Sequence, residues 1–250
     1  MKFFPDFNQL QVDLLVGTLL GDGNLQNVGQ SWRYRVLQKT AHIDYVNFKY
    51  GILKDFVNTP PKIQQMKDKN GKETSRCVFN TLSSPNFDIF ANLFYKKNTE
   101  NTGWIKQVPE NISTYLTPTA VAFWYMDDGA LKWQGKSNAV RFCTDSFSHD
   151  EVILLQNALA KFNIETTLQK QRNTERICTR ETSYEALASV ITPYLIPSMY
   201  YKFPDGNKGI FHSEQIGREL YDFGDPILNV ESDSTIEDPD LMPNLLDSFY

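Results

Sequence analysis

The feature that most constrains this 250-residue chain is a short apolar helix pattern ending in an aspartate beside a glycine, written twice, 106 residues apart. From Phe7 to Leu20, apolar side chains fall on a helical spacing at Leu10, Leu14, Leu15 and Leu19, with Thr18 beside them. The run stops at Gly21-Asp22-Gly23-Asn24. Thr117-Pro118 opens a second segment, Thr119 to Met126, which stops at Asp127-Asp128-Gly129. Proline in a first helical turn removes an N–H that has no intrahelical partner there. Gly17 and Gly21 on the first segment, and Ala120 and Ala122 on the second, let two helix backbones approach closely. A glycine after each carboxylate permits a tight turn.

The segments that follow repeat as well. Each helix is succeeded by an alternating strand (Trp32 to Leu37; Ala139 to Cys143) and a helix (His42 to Val57; Ser148 to Phe162). A strand pair comes next (Lys62 to Lys67 with Ser75 to Leu82; Thr166 to Lys170 with Arg176 to Thr179), then a last helix (Asn86 to Tyr95; Tyr184 to Tyr194). The stretch from Arg35, RVLQKTAHIDYV, aligns with that from Arg141, RFCTDSFSHDEV. An internal duplication explains this economically. The expected division is an N-terminal repeat over 1–98, a linker over 99–114, a C-terminal repeat over 115–213 and an extension over 214–250.

Composition excludes several classes. Hydrophobic residues at 41% and charged residues at 22% describe an ordinary packed protein. No run approaches the ~18 apolar residues of a membrane span, and Pro5 and Asp6 interrupt the only candidate leader, so a soluble, unsecreted protein is expected. Cys77, Cys143 and Cys178 are odd in number and widely spaced, and read as buried thiols rather than a disulfide framework or zinc site. With His42, His149 and His212 as the only histidines, hydrolases built on zinc or a histidine-held metal lack ligands. Gly129 to Ser137 imitates a phosphate-binding loop but places five residues between its glycines where four are required. Lys136 then belongs to a polar hairpin turn.

The net charge of −5 hides an asymmetry. Ten of the 30 acidic residues and one of the 25 basic ones lie in residues 214–250, leaving the preceding 213 residues mildly basic at +4. The acidic extension, with its three prolines, is expected to be partly disordered, acting as a solubilising appendage or as a polyanion competing for a basic face.

The chemistry lies at the helix ends. Two carboxylates brought together repel, and one takes up a proton unless a cation lies between them. Magnesium, which favours carboxylate oxygen and keeps its water, suits such a site, and a carboxylate-held cation suits hydrolysis of phosphodiesters.

Val16 to Gly23 and Val121 to Gly129 resemble the paired motifs that name the LAGLIDADG homing endonucleases, in their single-chain, two-motif form. Tyr115-Leu116-Thr117-Pro118 and Pro193-Tyr194-Leu195-Ile196-Pro197, followed by Tyr201-Lys202, extend the likeness over roughly residues 8–212. The resemblance implies an α+β fold of two αββαββα halves about a pseudo-twofold axis, with a saddle of antiparallel strands for DNA. It implies a magnesium-dependent enzyme, with manganese as the alternative ion, that cuts both strands of a long double-stranded site as a monomer and promotes intron homing. Asp22 and Asp128 match the metal-binding aspartates, and the backbone carbonyls of Gly21 and Asp127 are expected to contribute. Lys106 and Lys202 match the family's catalytic lysines, positioned to stabilise phosphate charge.

Asp127 departs from the first motif, where Gly21 stands. An outward Asp127 changes nothing, whereas an inward one alters metal occupancy. Arg35, Gln38, Arg141 and Asp145 are unranked candidates for ordering water. For DNA contact the expected residues are Arg33, Arg35, Lys67, Arg76, Lys170, Arg172, Arg176 and Arg180, because alternation places every second strand residue on one face. Lys62, Lys69 and Lys72 add charge nearby. Two other readings keep the same fold: an RNA-binding intron maturase and a catalytically inactive DNA-binding protein. Organelles and bacteria are both candidate hosts.

Overall fold

The structure, a computed structural model, describes residues 4, 6–67, 71, 73–100 and 102–204. The acidic extension, Lys69 and Lys72 lie outside the described residues.

The first half runs α1 (Gln9–Leu19), β1 (Asn24–Val28), β2 (Ser31–Lys39), α2 (Ile43–Leu53), β3 (Lys62–Lys67), β4 (Glu73–Asn80) and α3 (Asp88–Phe94). A two-stranded hairpin of β5 (Tyr95–Lys97) and β6 (Trp104–Lys106), then α4 (Ile112–Tyr115), connects it to the second. The second half repeats the order: α5 (Pro118–Asp128), β7 (Gly129–Leu131), β8 (Val140–Phe142), α6 (His149–Ala160), β9 (Thr166–Gln171), β10 (Thr174–Thr179) and α7 (Tyr184–Ile191). Both four-stranded sheets are antiparallel, in the orders β1-β2-β4-β3 and β7-β8-β10-β9. The expected α+β fold with two αββαββα halves is therefore observed.

The register repeats at an interval of 106 residues through the first part of each half. Asn24 pairs with Arg35, and Ala130, 106 residues on, pairs with Arg141. Helices α2 and α6 also begin 106 residues apart, at Ile43 and His149.

Periodicity missed one strand in each half. β1 and β7 emerge directly from the motif turns and are too short, at five and three residues, to show alternation. The linker hairpin escaped for the same reason.

The helix ends follow local chemistry. Asn8 caps α1 with a reciprocal capping box to Gln11, and Thr117 caps α5 by accepting from the Ala120 N–H. Neither motif helix is amphipathic, because α1 packs lengthwise on α5 inside the core and nearly every residue of each is buried.

The close approach is measurable at Gly17. A Cβ there would lie 2.3 Å from the Ala120 carbonyl oxygen and 2.7 Å from the Phe123 Cβ. Backbone cannot yield as a flexible side chain can, so Gly17→Val is expected to cost about 1–3 kcal/mol. Thermal unfolding should register this as a drop of roughly 3–10 °C. A melting temperature within one degree of the parent would show that the helices are not in backbone contact.

Candidate active site

The two motif turns meet where α1 and α5 end. A Cβ on Gly21 would come within 2.5 Å of the Asp127 Cβ, so the exits of the two helices touch. Asp22 and Asp128 sit on either side of this seam, each immediately before a glycine and a strand. The Asp128 carboxyl is pushed well above its ordinary range, first by burial and then by the charges of Asp22 and Asp127. Asp22 and Asp127 are thus close enough for their charges to act on Asp128.

Each expected lysine reaches a motif turn from a different scaffold. Lys106, at the end of β6, donates to the carbonyls of Gly21 at 2.9 Å and Gly23 at 2.7 Å. Lys202, at the end of the 3₁₀ turn Pro197–Lys202, donates to the carbonyls of Met126 at 2.6 Å and Asp127 at 2.7 Å. Burial lowers both ammonium pKa values, while Asp22, Asp127 and Asp128 all act in the opposite direction. The carbonyls expected to face a metal therefore each hold a lysine, and each retains a second lone pair.

Asp127 is turned inward and buried. Its Oδ1 accepts from Lys49 Nζ at 2.6 Å and from Gln38 Nε2 at 3.2 Å. Lys49, on α2, is itself 1% exposed and lies over the Tyr45 ring at 4.0 Å. Nothing in the sequence marked Lys49, since a lysine in an apolar helix usually reaches solvent. Gln38 Nε2 also donates to Asp22 Oδ2 at 3.1 Å, so this candidate lies beside the carboxylates. Asp145 lies with Arg176 and Thr174 instead.

Among the described residues, no group of three or more His, Cys, Asp or Glu side chains forms a ready-made metal cage. The donors that fit a cation are the two aspartates flanking the seam, supplemented by carbonyl and amide oxygens. Two buried acceptors beside them, Gln38 Oε1 and Asp127 Oδ2, have no hydrogen-bond partner. Unsatisfied buried acceptors next to a carboxylate pair fit a hydrated divalent ion, which keeps waters to donate to them.

The candidate DNA residues divide by strand parity. In β2 the side chains of Trp32, Tyr34, Val36 and Gln38 point into the protein, leaving Arg33 and Arg35 on the outer face. Arg76 shares that face, since it lies opposite Gln64 and Lys39. In the second sheet Arg176 and Arg141 share the face opposite that of Ile177 and Phe142, which pack in the core. Arg180 follows β10 with the same parity and lies 3.6 Å from Glu165.

Lys67 and Lys170 do not belong to this set. They pair with Glu73 and Glu175 and so carry the opposite parity, although both stand at exposed strand ends. Arg172 is in the β9–β10 turn, with φ of 54°, rather than on a strand face. The sequence spacing was sound, but the turn reset the parity between Lys170 and Arg176. Several outward side chains are already held: Arg33 by Gln26 at 2.8 Å and Arg176 by Asp145 at 2.7 Å.

Paired helices ending in facing aspartates, each followed by an antiparallel sheet, define the LAGLIDADG class of protein. The chain belongs to the LAGLIDADG DNA endonuclease family, whose sequence model matches residues 12–187. It is 47% identical over 212 residues to DNA endonuclease I-ChuI of Chlamydomonas applanata, an alignment covering 80% of this chain and 97% of that protein. It is also 32% identical over 200 residues to the cytochrome b mRNA maturase bI2 of Saccharomyces cerevisiae, covering 76% of this chain and 46% of that protein. Among solved structures it resembles the homing endonuclease I-WcaI bound to its DNA recognition sequence. The TM-score is 0.71 at 24% identity, over 78% of this chain and 86% of the other, a likeness of fold.

Proposed function

We propose that this chain is a site-specific DNA endonuclease that cuts both strands of a long duplex site, acting as a monomer at one centre shared by Asp22 and Asp128. Residues 1–98 and 115–213 are its two halves, joined by 99–114. The observation that carries the reading is the seam itself, where two aspartates, two lysines and two unpartnered buried acceptors face one another. A protein that only binds nucleic acid has no physical need to gather repelling carboxylates.

Asp22 and Asp128 would hold the ion, with Gly21 and Asp127 offering carbonyl oxygens, and magnesium or manganese fits this all-oxygen set. Bound there, the cation supplies an acidified water and neutralises charge developing on phosphate. Lys106 and Lys202 are fixed by two carbonyls each, so their charge is already in place when phosphate charge develops. Gln38 restrains Asp22 and keeps its carbonyl oxygen available to orient water. Arg33, Arg35, Arg76 and Arg176 on the outer sheet faces serve base edges and phosphates, with Arg172 and Arg180 at the margins. Lys67 and Lys170 would contact backbone phosphate only from the strand ends.

The test is cleavage of a duplex library that includes the chain's native insertion locus, with magnesium and with chelator. Double-strand cuts at a recurring site support the reading. RNA binding without any cutting would select the maturase reading, which the similarity to a maturase favours.

Metal binding has a signature independent of cleavage. Asp127 and Asp128 both have pKa values raised above the ordinary 3.8. A carboxyl with a raised folded pKa keeps a proton that the unfolded chain has released, so metal-free stability falls as pH rises from about 4. A cation between the carboxylates reverses that loss. Magnesium is therefore expected to raise the melting temperature more at pH 8 than at pH 5, read by thermal unfolding with and without chelator. An equal or larger increment at pH 5 would argue against binding through these groups.

A further inference from the structure

The Lys49–Asp127 pair has no image in the other half. The duplication places Leu155 at the position of Lys49, Gly21 at that of Asp127 and Thr144 at that of Gln38. Leu155 is fully buried, and Thr144 donates to the Glu175 carbonyl at 2.6 Å. The fold therefore builds this corner once from apolar atoms and once from a buried ion pair. Stability does not demand the pair, because desolvating two charges commonly offsets their attraction and an apolar filling serves as well.

What the pair does is local. Asp127 Oδ1 is shared between Lys49 and Gln38, and the same Gln38 Nε2 reaches Asp22. Lys49 comes from the first half and Asp127 from the second motif, so the contact ties the halves together across the seam. With its charge met by Lys49, Asp127 is spared for holding the amide. Gln38 is left in one orientation, Nε2 towards the two carboxylates and Oε1 unpartnered.

We propose that Lys49 is a positioning residue that, through Asp127, aims Gln38 at Asp22 and makes the two halves of the catalytic centre chemically unequal. One DNA strand is then processed on the side of the shared centre that holds the fixed amide, and the other on the side without it. The inference rests on the endonuclease reading for its cleavage consequence and on the structure alone for the orientation of Gln38.

The test replaces the pair by an apolar filling like its image, Lys49→Leu with Asp127→Ala, in the full chain. A second double variant, Lys49→Gln with Asp127→Asn, keeps the hydrogen bonds without the charges. In the metal-free protein, the Gln38 side-chain amide is read by ¹⁵N NMR, assigned by its loss in Gln38→Glu. Strand-resolved cutting uses a duplex of the site recovered from the library, labelled on each strand.

The apolar double variant is expected to lose the protection of the Gln38 amide from solvent exchange. It should also slow one strand by on the order of 10- to 100-fold, the scale of a misplaced group, so that nicked duplex accumulates. The neutral pair is expected to retain the protection of the Gln38 amide. An unchanged Gln38 amide in the apolar variant, or equal slowing of both strands, overturns the proposal. Absence of cutting by the parent protein overturns the endonuclease reading instead and leaves the amide measurement to decide the positioning role.

Discussion

Asp22→Asn and Asp128→Asn are each expected to lower cleavage of both strands by at least about 10³-fold while leaving the chain folded. The aspartates flank one seam, and groups that act as a unit lose most of their effect when either is removed. Asparagine matches the size of aspartate and keeps an oxygen to accept the Gln38 amide, so the local packing survives. For Asp128 the sign of the stability change follows from its environment: burial and the neighbouring aspartates make its charge unfavourable in the folded state. Metal-free Asp128→Asn should therefore melt at or above the parent temperature at pH 7, and the difference should vanish towards pH 4 as the parent's carboxyl takes up its proton. The measurement combines strand-resolved cleavage with thermal unfolding. Loss of one strand alone would mean that each aspartate serves its own strand and that the centre is not shared.

The second large effect is on stability. Lys49→Met leaves the Asp127 carboxylate buried without its cation, a defect that costs about 3–5 kcal/mol when one partner of a buried pair is removed. For a chain of this size that is a fall in melting temperature of roughly 6–20 °C. The loss should shrink at low pH, because a protonated Asp127 needs no counter-charge. The apolar double variant, Lys49→Leu with Asp127→Ala, should recover most of the stability, since the duplicated position already holds Leu155 and Gly21. A Lys49→Met protein that melts with the parent would show that Asp127 is met by solvent instead.

These two predictions separate the parts of the site that pattern reveals from those that it does not. The motif aspartates announce themselves because a glycine turn, an apolar helix and a carboxylate recur at a fixed interval, and the helix periodicity leaves the carboxylate at the exit. Lys106 and Lys202 were legible only through the family resemblance, Lys202 following Pro193 to Pro197 and Lys106 preceding the second motif. The hairpin that carries Lys106 was not, because three-residue strands show no alternation. Among the DNA candidates, Arg33 and Arg35 share a face because no turn intervenes between them. Lys170 and Arg176 lie on opposite faces because the two-residue turn at Arg172 and Asn173 changes the parity.

The duplication, the order of most elements and the pair of aspartates were legible in the sequence from short-range periodicity and turn chemistry, and the family from the resemblance of the two motifs. Tertiary structure alone decided what surrounds them. The inward turn of Asp127, its capture by Lys49 from 78 residues away and the bridging role of Gln38 exist only once α1 and α5 are in backbone contact. Burial is the physical reason: a lysine and an aspartate in water need no partner, and it is the dry interior of the seam that compels them to find each other.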